Sequence, residues 1–484
     1  MSMATEGVLP PYRAVADRSG GWGGTIGGAI GLALVAATLV AATVYGQEAV
    51  GIALIVAVML LVVVMARPEF GIFLLLTNYL FASYPTPIRG GGLLTINNVL
   101  GVILAVILMA ELAQRPDFWF LRTKQVQILA AIGGVLLLGT FASYWSFPDL
   151  RITWGKVRTL DQTAELSRDF ITRFAFIILS CKFLTTRRHV KLVVIVMLTC
   201  LVLTVPSALL GWADSDSADA RAAASFSIGT NSNRLAFLCL MQAAFWWYLG
   251  QTQKSQFVRL ITYGAMATFI LTVLATASRS GFLGMCLLFY LLTRARGGLK
   301  SNRLKIMVLA GLAAGMMVTI IPQETLDRIA NMNPMAEGHD SIGTHSTERR
   351  VETVGLGWNM FTSYPLFGVG LGNFREVARQ VYADEFYRPP HNSYIWALSE
   401  CGIFAFMLFL YLFYATWRDI LWLQRSPATP PDLLWIALAM EPTLTLLMFY
   451  SVFADMWLNP ITYILFILTM VFKRYVSCRR VLLA

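Results

Sequence analysis

The stretch RPPHNSYIWALSECG, residues 388–402, ends the longest polar interval of an otherwise apolar chain. Two consecutive prolines keep the approach extended, and the apolar residues that follow predict a membrane helix. By this prediction His391 lies at the start of a helix, at the boundary between water and lipid. A histidine there could act as a general base, because its proton affinity lies near neutral pH, or it could only cap the helix.

The composition is that of a polytopic membrane protein. Of the 484 residues 57% are hydrophobic and 13% charged, whereas a soluble domain has about 25% charged residues. The mean hydropathy is +0.63. Most of the six cysteines lie inside apolar runs without a close CxxC pair, so we interpret them as small core residues. The net charge of +11 fits loops facing anionic lipid better than nucleic acid.

Fourteen apolar runs are long enough to cross a bilayer, or nearly so. They fall at about 25–45, 48–66, 69–84, 95–113, 125–145, 168–185, 190–210, 232–249, 257–278, 281–293, 305–321, 395–417, 433–453 and 458–473. With a cytoplasmic N-terminus, this count places seven of the eight lysines inside, as the positive-inside rule expects. Two compensating errors would leave twelve spans. The predicted fold is therefore an all-α polytopic membrane protein with about 12–14 transmembrane helices.

The same count divides the chain into membrane and water-exposed parts. We predict a cytoplasmic tail, an N-terminal transmembrane bundle, one long outside loop containing short helices, C-terminal transmembrane helices and a second cytoplasmic tail, at residues 1–24, 25–321, 322–394, 395–473 and 474–484.

Arginine dominates the predicted outside face, where all but one of the basic residues are arginines. A guanidinium fork binds phosphate or carboxylate through two hydrogen bonds, which solubility alone would not require. The candidates for binding an anionic ligand are Arg221, Arg234, Arg279, Arg349 and Arg350. Any of them could instead pair with an acidic residue of the same loops.

Charges inside the predicted spans are costly and usually functional. Arg279 stands at the outside junction of two runs, and Arg234 lies one turn inside a span. Arg173 and Glu441 are the other intramembrane charges. Each could alternatively belong to a structural ion pair.

The long loop carries two further patterns. Val351, Val354, Trp358 and Phe361 recur at helical spacing, which predicts a helix lying along the membrane surface or packed on the bundle. The glycines of PLFGVGLGNF, residues 365–374, predict a tight turn where backbone could approach a ligand. This is not a GxGxxG motif after a strand, so it does not indicate a dinucleotide site.

Metal ligation has little support in the sequence. The loose His, Asp and Glu cluster in residues 339–348 fits no zinc spacing. Asp214 and Asp216 form a DxD-like pair, but in a small mid-chain loop. That pair remains a weak alternative.

These motifs resemble the O-antigen ligase and O-antigen polymerase superfamily. The resemblance rests on residues 365–374, on PHNS at 390–393 and on ECG at 400–402, with Arg349-Arg350 and SRSG at 278–281 upstream. Its strong part covers roughly residues 225–415.

The resemblance implies a GT-C-like, multi-pass enzyme of the bacterial inner membrane, with 322–394 as a periplasmic catalytic loop. Such an enzyme moves a glycan from undecaprenyl pyrophosphate to an acceptor on the periplasmic side, without a metal or other cofactor. The acceptor would be lipid A-core, a growing lipid-linked polysaccharide or a protein. His391 matches the family's loop histidine, Arg279 its span-junction arginine, and Arg349 or Arg350 its loop arginine.

Residue chemistry and resemblance predict the same reaction. His391 would take the proton of the acceptor hydroxyl, and arginines would stabilise the departing pyrophosphate. A single displacement would invert the anomeric centre. The rival function is a polysaccharide or lipid transporter or flippase, although the chain shows no internal repeat of the kind common in such folds. A non-catalytic scaffold would not need an arginine-rich outside face.

Overall fold

The computed structural model describes residues 59–80, 96–146, 158–213, 231–276, 278–294, 342–382 and 390–483, and these contain helices but no β-strand. The helices are α1 Met59–Ala66, α2 Pro68–Leu80, α3 Ile96–Gln114, α4 Lys124–Ser146, α5 Arg158–Phe183, α6 Arg187–Val202, α7 Thr204–Ala213, α8 Ser232–Thr252, α9 Gln256–Ala275, α10 Arg279–Arg294, α11 Ile342–Ser363, α12 Phe374–Val381, α13 Ser393–Arg425, α14 Leu434–Tyr450 and α15 Pro460–Leu483. A 3₁₀ turn covers Trp119–Arg122.

The fold is all-α and polytopic, as predicted. Within the described ranges six helical stretches are long and apolar enough to cross a membrane, and the bent pair α1–α2 would make a seventh. Of the fourteen predicted runs, 25–45, 305–321 and most of 48–66 lie outside the described residues. Ten of the other eleven coincide with one helix each, and 190–210 covers the two consecutive helices α6 and α7. The total of 12–14 spans stays a prediction.

The helices nearest the candidate site begin at side-chain caps. Asn231 accepts the Asn233 backbone N–H before α8, and Ser278 Oγ accepts the Gly281 N–H at the start of α10. Asn392 caps α13 by accepting the backbone N–H groups of the second and third residues after it. Such a cap stabilises a helix by about 1 kcal/mol. These polar residues therefore help to fix the residue at which each helix begins.

The core is built around α8. Its residues 235–245 are all buried, as expected of a helix that is apolar on every side and therefore surrounded by others. Phe237 packs on Tyr450 of α14 with ring centroids 5.4 Å apart, and Phe245 packs on Trp435 at 6.3 Å. α14 is therefore held against α8 at both ends.

α13 is sharply bent at Gly402, whose φ is +73°. The bend divides it into a short arm, residues 393–401, and a long arm, residues 403–425. The rings of Tyr394 and Phe409 lie 6.3 Å apart, although fifteen residues of straight helix would separate their backbones by about 22 Å. The run predicted at 395–417 lies in a helix long and apolar enough to cross a membrane, but this helix is bent at Gly402 and is not straight.

Residues 364–374, here called the glycine loop, occupy the inside of this bend. Val369 N donates to Ser399 O at 2.8 Å, and Gly370 N donates to Glu400 O at 2.9 Å. A broken helix in a membrane protein leaves carbonyl groups without intrahelical donors, which is tolerated only where protein satisfies them. The glycine loop supplies the missing donors.

The Glu400 side chain completes the junction. It is buried and accepts the backbone N–H of Gly372 at 2.8 Å and of Phe374 at 3.0 Å, at the start of α12. A β-carbon on Gly368, whose φ is +69°, would lie 2.6 Å from Ser399 O. Gly368 thus closely approaches the protein's own bent helix, and Gly370 closely approaches Ser143 and Asn373.

α11 runs alongside the short arm in the same direction. Gly357 packs against Ile395, and eight residues later Ile403 N donates to Pro365 O at 2.9 Å. Of the predicted apolar face, Val351 and Trp358 are 67% and 51% exposed. The contacts of Gly357 agree with the alternative that the helix is packed on the bundle, although part of its predicted apolar face is left uncovered.

Candidate functional site

His391 stands at the free end of the short arm. Its φ is +45°, and among the described residues no other non-glycine has a positive φ. A side chain in this left-handed region costs about 1–3 kcal/mol, and such strain is concentrated at functional sites. The imidazole is 44% exposed. The turn therefore presents His391 to the outside of the bundle.

Ser393 fixes that turn to the segment between α14 and α15. Its backbone N–H donates to Ser451 O at 2.7 Å, and its hydroxyl donates to Ala454 O at 2.8 Å. The same hydroxyl accepts the Met456 N–H at 2.8 Å. All the polar groups of this buried serine are thereby paired, and the start of the short arm is held on residues 451–456.

This connection brings Asp455 to His391. The carboxylate Oδ2 lies 3.4 Å from His391 Nδ1, and the Asp455 side chain is 15% exposed. Asp455 Oδ1 is buried and has no hydrogen-bond partner among the described residues. A carboxylate beside Nδ1 favours a proton on that nitrogen and leaves Nε2 to accept one.

Asp455 is the functional candidate that sequence reasoning missed. It stands in FADMWLNP, residues 453–460, between the last two apolar runs. An acidic residue in the short connection between two predicted spans is a signal that could have marked it. Its partner is sequentially remote, so only the fold identifies the pair.

Arg234 and Arg279 lie in the first turns of α8 and α10, and one asparagine joins these two turns. Asn233 Oδ1 accepts the Ser278 hydroxyl at 2.6 Å and the Ser280 hydroxyl at 3.3 Å. Arg279 is exposed and Arg234 is half-buried. Two helix N-termini, each with an arginine in its first turn, thus meet at one end of the bundle, where backbone N–H groups and helix dipoles favour an anion.

The end of α14 links these arginines to the His391–Asp455 pair. Tyr450, its last residue, contacts Phe237 one turn below Arg234. A β-carbon on Gly284 of α10 would lie 2.9 Å from the Tyr450 hydroxyl. The next residue, Ser451, accepts the hydrogen bond from the short arm. The arginine-bearing turns and the histidine therefore surround the same helix end.

α11 places Arg350 at this end as well. Because α11 is parallel to the short arm, Arg350 lies about 10 Å before Gly357, beyond the level at which the short arm begins. Its side chain is exposed. Arg349 belongs to the same helix, but its side chain lies outside what the structure describes, and so does all of Arg221.

The described residues contain no group of three or more His, Cys, Asp or Glu side chains that could hold a metal ion. The acidic pair Asp214 and Asp216 lies outside these residues, as do the side chains of 339–348.

Comparison with known proteins supports the resemblance drawn from the motifs. Residues 264–410 match the model of a family described as O-antigen ligase. The match includes Arg279, Arg350, the glycine loop and His391, whereas Arg234 and Asp455 lie outside it. No curated protein matches the chain. Over this segment the chain is similar to O-antigen ligases, which transfer glycans.

Proposed function

We propose that this O-antigen ligase-like chain transfers a glycan from undecaprenyl pyrophosphate to an acceptor at the periplasmic face of the bacterial inner membrane. The acceptor is lipid A-core, a growing lipid-linked polysaccharide or a protein. The observation that carries the proposal is the His391–Asp455 pair, formed at the end of a bent membrane helix and surrounded by arginine-bearing helix ends. The matched segment supports the general class of glycan transfer.

His391 acts as the general base in this proposal. Nε2 takes the proton from the acceptor hydroxyl while that oxygen bonds to the anomeric carbon of the donor sugar. The bond between the anomeric carbon and the pyrophosphate oxygen breaks, and the lipid pyrophosphate leaves with the electron pair. Asp455 keeps the proton on Nδ1 and stabilises the imidazolium that forms. One displacement from the opposite face inverts the anomeric centre.

The arginines bind the leaving group. Its negative charge is present in the bound donor and increases as the bond breaks, so fixed positive groups stabilise the transition state most. Arg279 and Arg234 are the main candidates, because the Asn233 contacts hold their helix ends together. Arg350 approaches on α11, and Arg349 and Arg221 remain further candidates. In this proposal the arginines do what a divalent metal does elsewhere, so transfer is metal-independent.

The decisive experiment combines cells and purified protein. Cells that lack the protein should accumulate lipid-linked glycan, and purified protein in liposomes should transfer glycan from a lipid pyrophosphate donor to acceptor. The same liposomes distinguish glycan transfer from the rival function. A flippase would move lipid-linked glycan across the bilayer and form no new glycosidic bond. Flux without transfer would overturn the proposal.

A further inference from the structure

Arg173 is a buried charge that the proposed reaction does not use. It lies on α5, one helical turn after Asp169, and its Nη2 contacts Asp169 Oδ2 at 2.8 Å. Its side chain is 12% exposed. The Nε and Nη1 groups are buried and donate to no acceptor in the described part of the chain. Buried donors left in this state cost about 1–3 kcal/mol, so a ligand that accepts from them would bind favourably.

The carboxylate beside Arg173 is shared with a second guanidinium group. Asp169 also contacts Arg168 at 3.9 Å, so one carboxylate faces two guanidinium groups. Tyr79 of α2 and Tyr463 of α15 lie within electrostatic reach of both Arg173 and Asp169. The arrangement offers N–H donors of a charged guanidinium group that are unpaired within the described ranges, and such donors match an anionic oxygen better than a neutral one.

The depth of this cluster agrees with a lipid headgroup. α5 and α15 run side by side in one direction, with Cys181 Sγ 3.7 Å from Met470 Sδ. Arg173 precedes Cys181 by eight residues and Tyr463 precedes Met470 by seven, so the two lie at about the same level of the bundle. That level is about 5 Å along α15 from its first residue. This first residue follows directly on the segment that carries Asp455. The cluster is therefore at the same end of the bundle as the candidate active site.

Lipid can reach the cluster from the side. Asp169 is 33% exposed and Arg168 is 47% exposed, so this edge of the cluster is open to the surroundings of α5. A phosphate attached to a membrane lipid could thus enter beside Asp169.

We propose that Arg173 binds the phosphate of a second membrane lipid, separate from the donor pyrophosphate at Arg279. The inference rests on the proposed function in one respect: when the acceptor is borne by a lipid, the enzyme needs a site for each of two lipids. The phosphate belongs either to the lipid that bears the acceptor or to bulk phospholipid. The experiment distinguishes these two sources.

Native mass spectrometry of the purified full-length protein measures the binding directly. The probes are undecaprenyl phosphate and phosphatidylglycerol, each titrated alone. Arg173→Gln should weaken retention of one probe at one site by about ten- to a hundredfold, the scale of one hydrogen bond to a charged group. The probe affected identifies the source. Arg279→Gln should leave this site intact and weaken the other.

Asp169→Asn distinguishes a binding site from a structural ion pair. Removing the carboxylate leaves Arg173 free of its competitor, so phosphate should be retained more strongly than by the wild type. If the pair were only structural, both substitutions would lower the unfolding temperature and neither would change retention. Arg187→Gln, which breaks an ion pair with Asp432 elsewhere in the protein, is the matched control and should retain both probes normally.

Equal retention by the wild type, Arg173→Gln and Asp169→Asn would overturn the inference, whatever the transfer assay shows. Conversely, Arg173-dependent retention in a protein that transfers no glycan would uphold the site and overturn the proposed function. In an active enzyme, Arg173→Gln should raise the KM for the acceptor lipid and leave the KM for the donor unchanged, if the affected probe is the polyprenyl phosphate.

Discussion

Gly402 lies directly against Leu366, so closely that a β-carbon on the glycine would overlap the Leu366 carbonyl group. Gly402→Ala should therefore separate the glycine loop from the bend. It also forces alanine into a positive φ, and such strain alone costs about 1–3 kcal/mol. The expected result is a clearly lower unfolding temperature of the purified protein in detergent.

Gly355→Ala is the matched control for that substitution. Gly355 lies on the neighbouring α11, where a β-carbon would meet no atom within 4 Å. Alanine there should be neutral or slightly stabilising, because it favours the helix. A Gly402→Ala protein as stable as the Gly355→Ala protein would contradict the role given to the bend.

His391→Asn tests catalysis separately from backbone strain. Asparagine tolerates the left-handed conformation better than most residues but cannot serve as a general base. Turnover should fall by about 10²–10⁴-fold with little change in donor binding, and His391→Ala should do the same. Asp455→Asn should lower turnover less, because it disturbs the tautomer and keeps the imidazole. Wild-type transfer by His391→Asn, at matched protein levels, would show that this histidine is not the base.

Arg279 should act on donor binding and on turnover together, because the phosphate charge is present before the reaction and grows during it. Arg279→Gln should raise the KM for the donor and lower kcat, and Arg279→Lys should rescue poorly, since an ammonium cannot form a bidentate fork. Arg294 lies at the other end of α10, where its side chain donates a hydrogen bond to the Tyr290 hydroxyl. Arg294→Gln is therefore the control. A donor KM that is unchanged in Arg279→Gln would remove this residue from the site.

Transfer should continue in EDTA. The prediction follows from the assignment of leaving-group stabilisation to arginines, and it is measured as glycan transfer by purified protein before and after chelation. Activity that is lost and then restored by magnesium or manganese would instead direct attention to Asp214 and Asp216.

Asp432 should give a small, pH-dependent contribution to stability. Partial desolvation acts to raise its pKa, but the hydrogen bonds and charges of Lys191 and Arg187 outweigh it and hold the pKa below the ordinary 3.8. The folded state therefore favours the carboxylate, so the contribution is present above pH 3.8 and lost as the pH falls through the lowered pKa. With a 39% exposed side chain, its size is about 0–1 kcal/mol.

The measurement compares the unfolding temperatures of the wild type and Asp432→Asn from neutral pH down to about pH 3, below the ordinary pKa of an aspartate. The wild type should be slightly more stable at neutral pH, and the difference should shrink below pH 3.8. If the difference between the two unfolding temperatures grew on acidification, the prediction for Asp432 would be wrong.

Local patterns predicted the helices well. The apolar runs and their caps lie in consecutive residues, so the sequence indicates most helix positions within a few residues. The bend in α13 was missed because Gly402 stands inside a run that is long and apolar enough to predict one helix. The bend is stabilised by hydrogen bonds that the backbone N–H groups of Val369 and Gly370 donate to α13. No local sequence pattern predicts these bonds.

The candidate site was only partly predictable for a similar reason. His391, Arg279 and Arg350 carry recognisable neighbours in sequence, and the structure places their helices at one end of the bundle. Asp455 follows His391 by 64 residues (391 to 455) and carries no motif. Its role depends on how Ser393 docks between α14 and α15, which is a property of tertiary packing.

That docking determines how little of the protein could work by itself. Every motif of the matched segment ends before residue 410, yet the groups that hold Ser393, and the carboxylate beside His391, come from residues 451–456. A fragment ending with the long arm would preserve the recognisable signature and lose the anchors of its histidine. The last two helices are thus part of the proposed site, and an excised signature segment should not transfer glycan by itself.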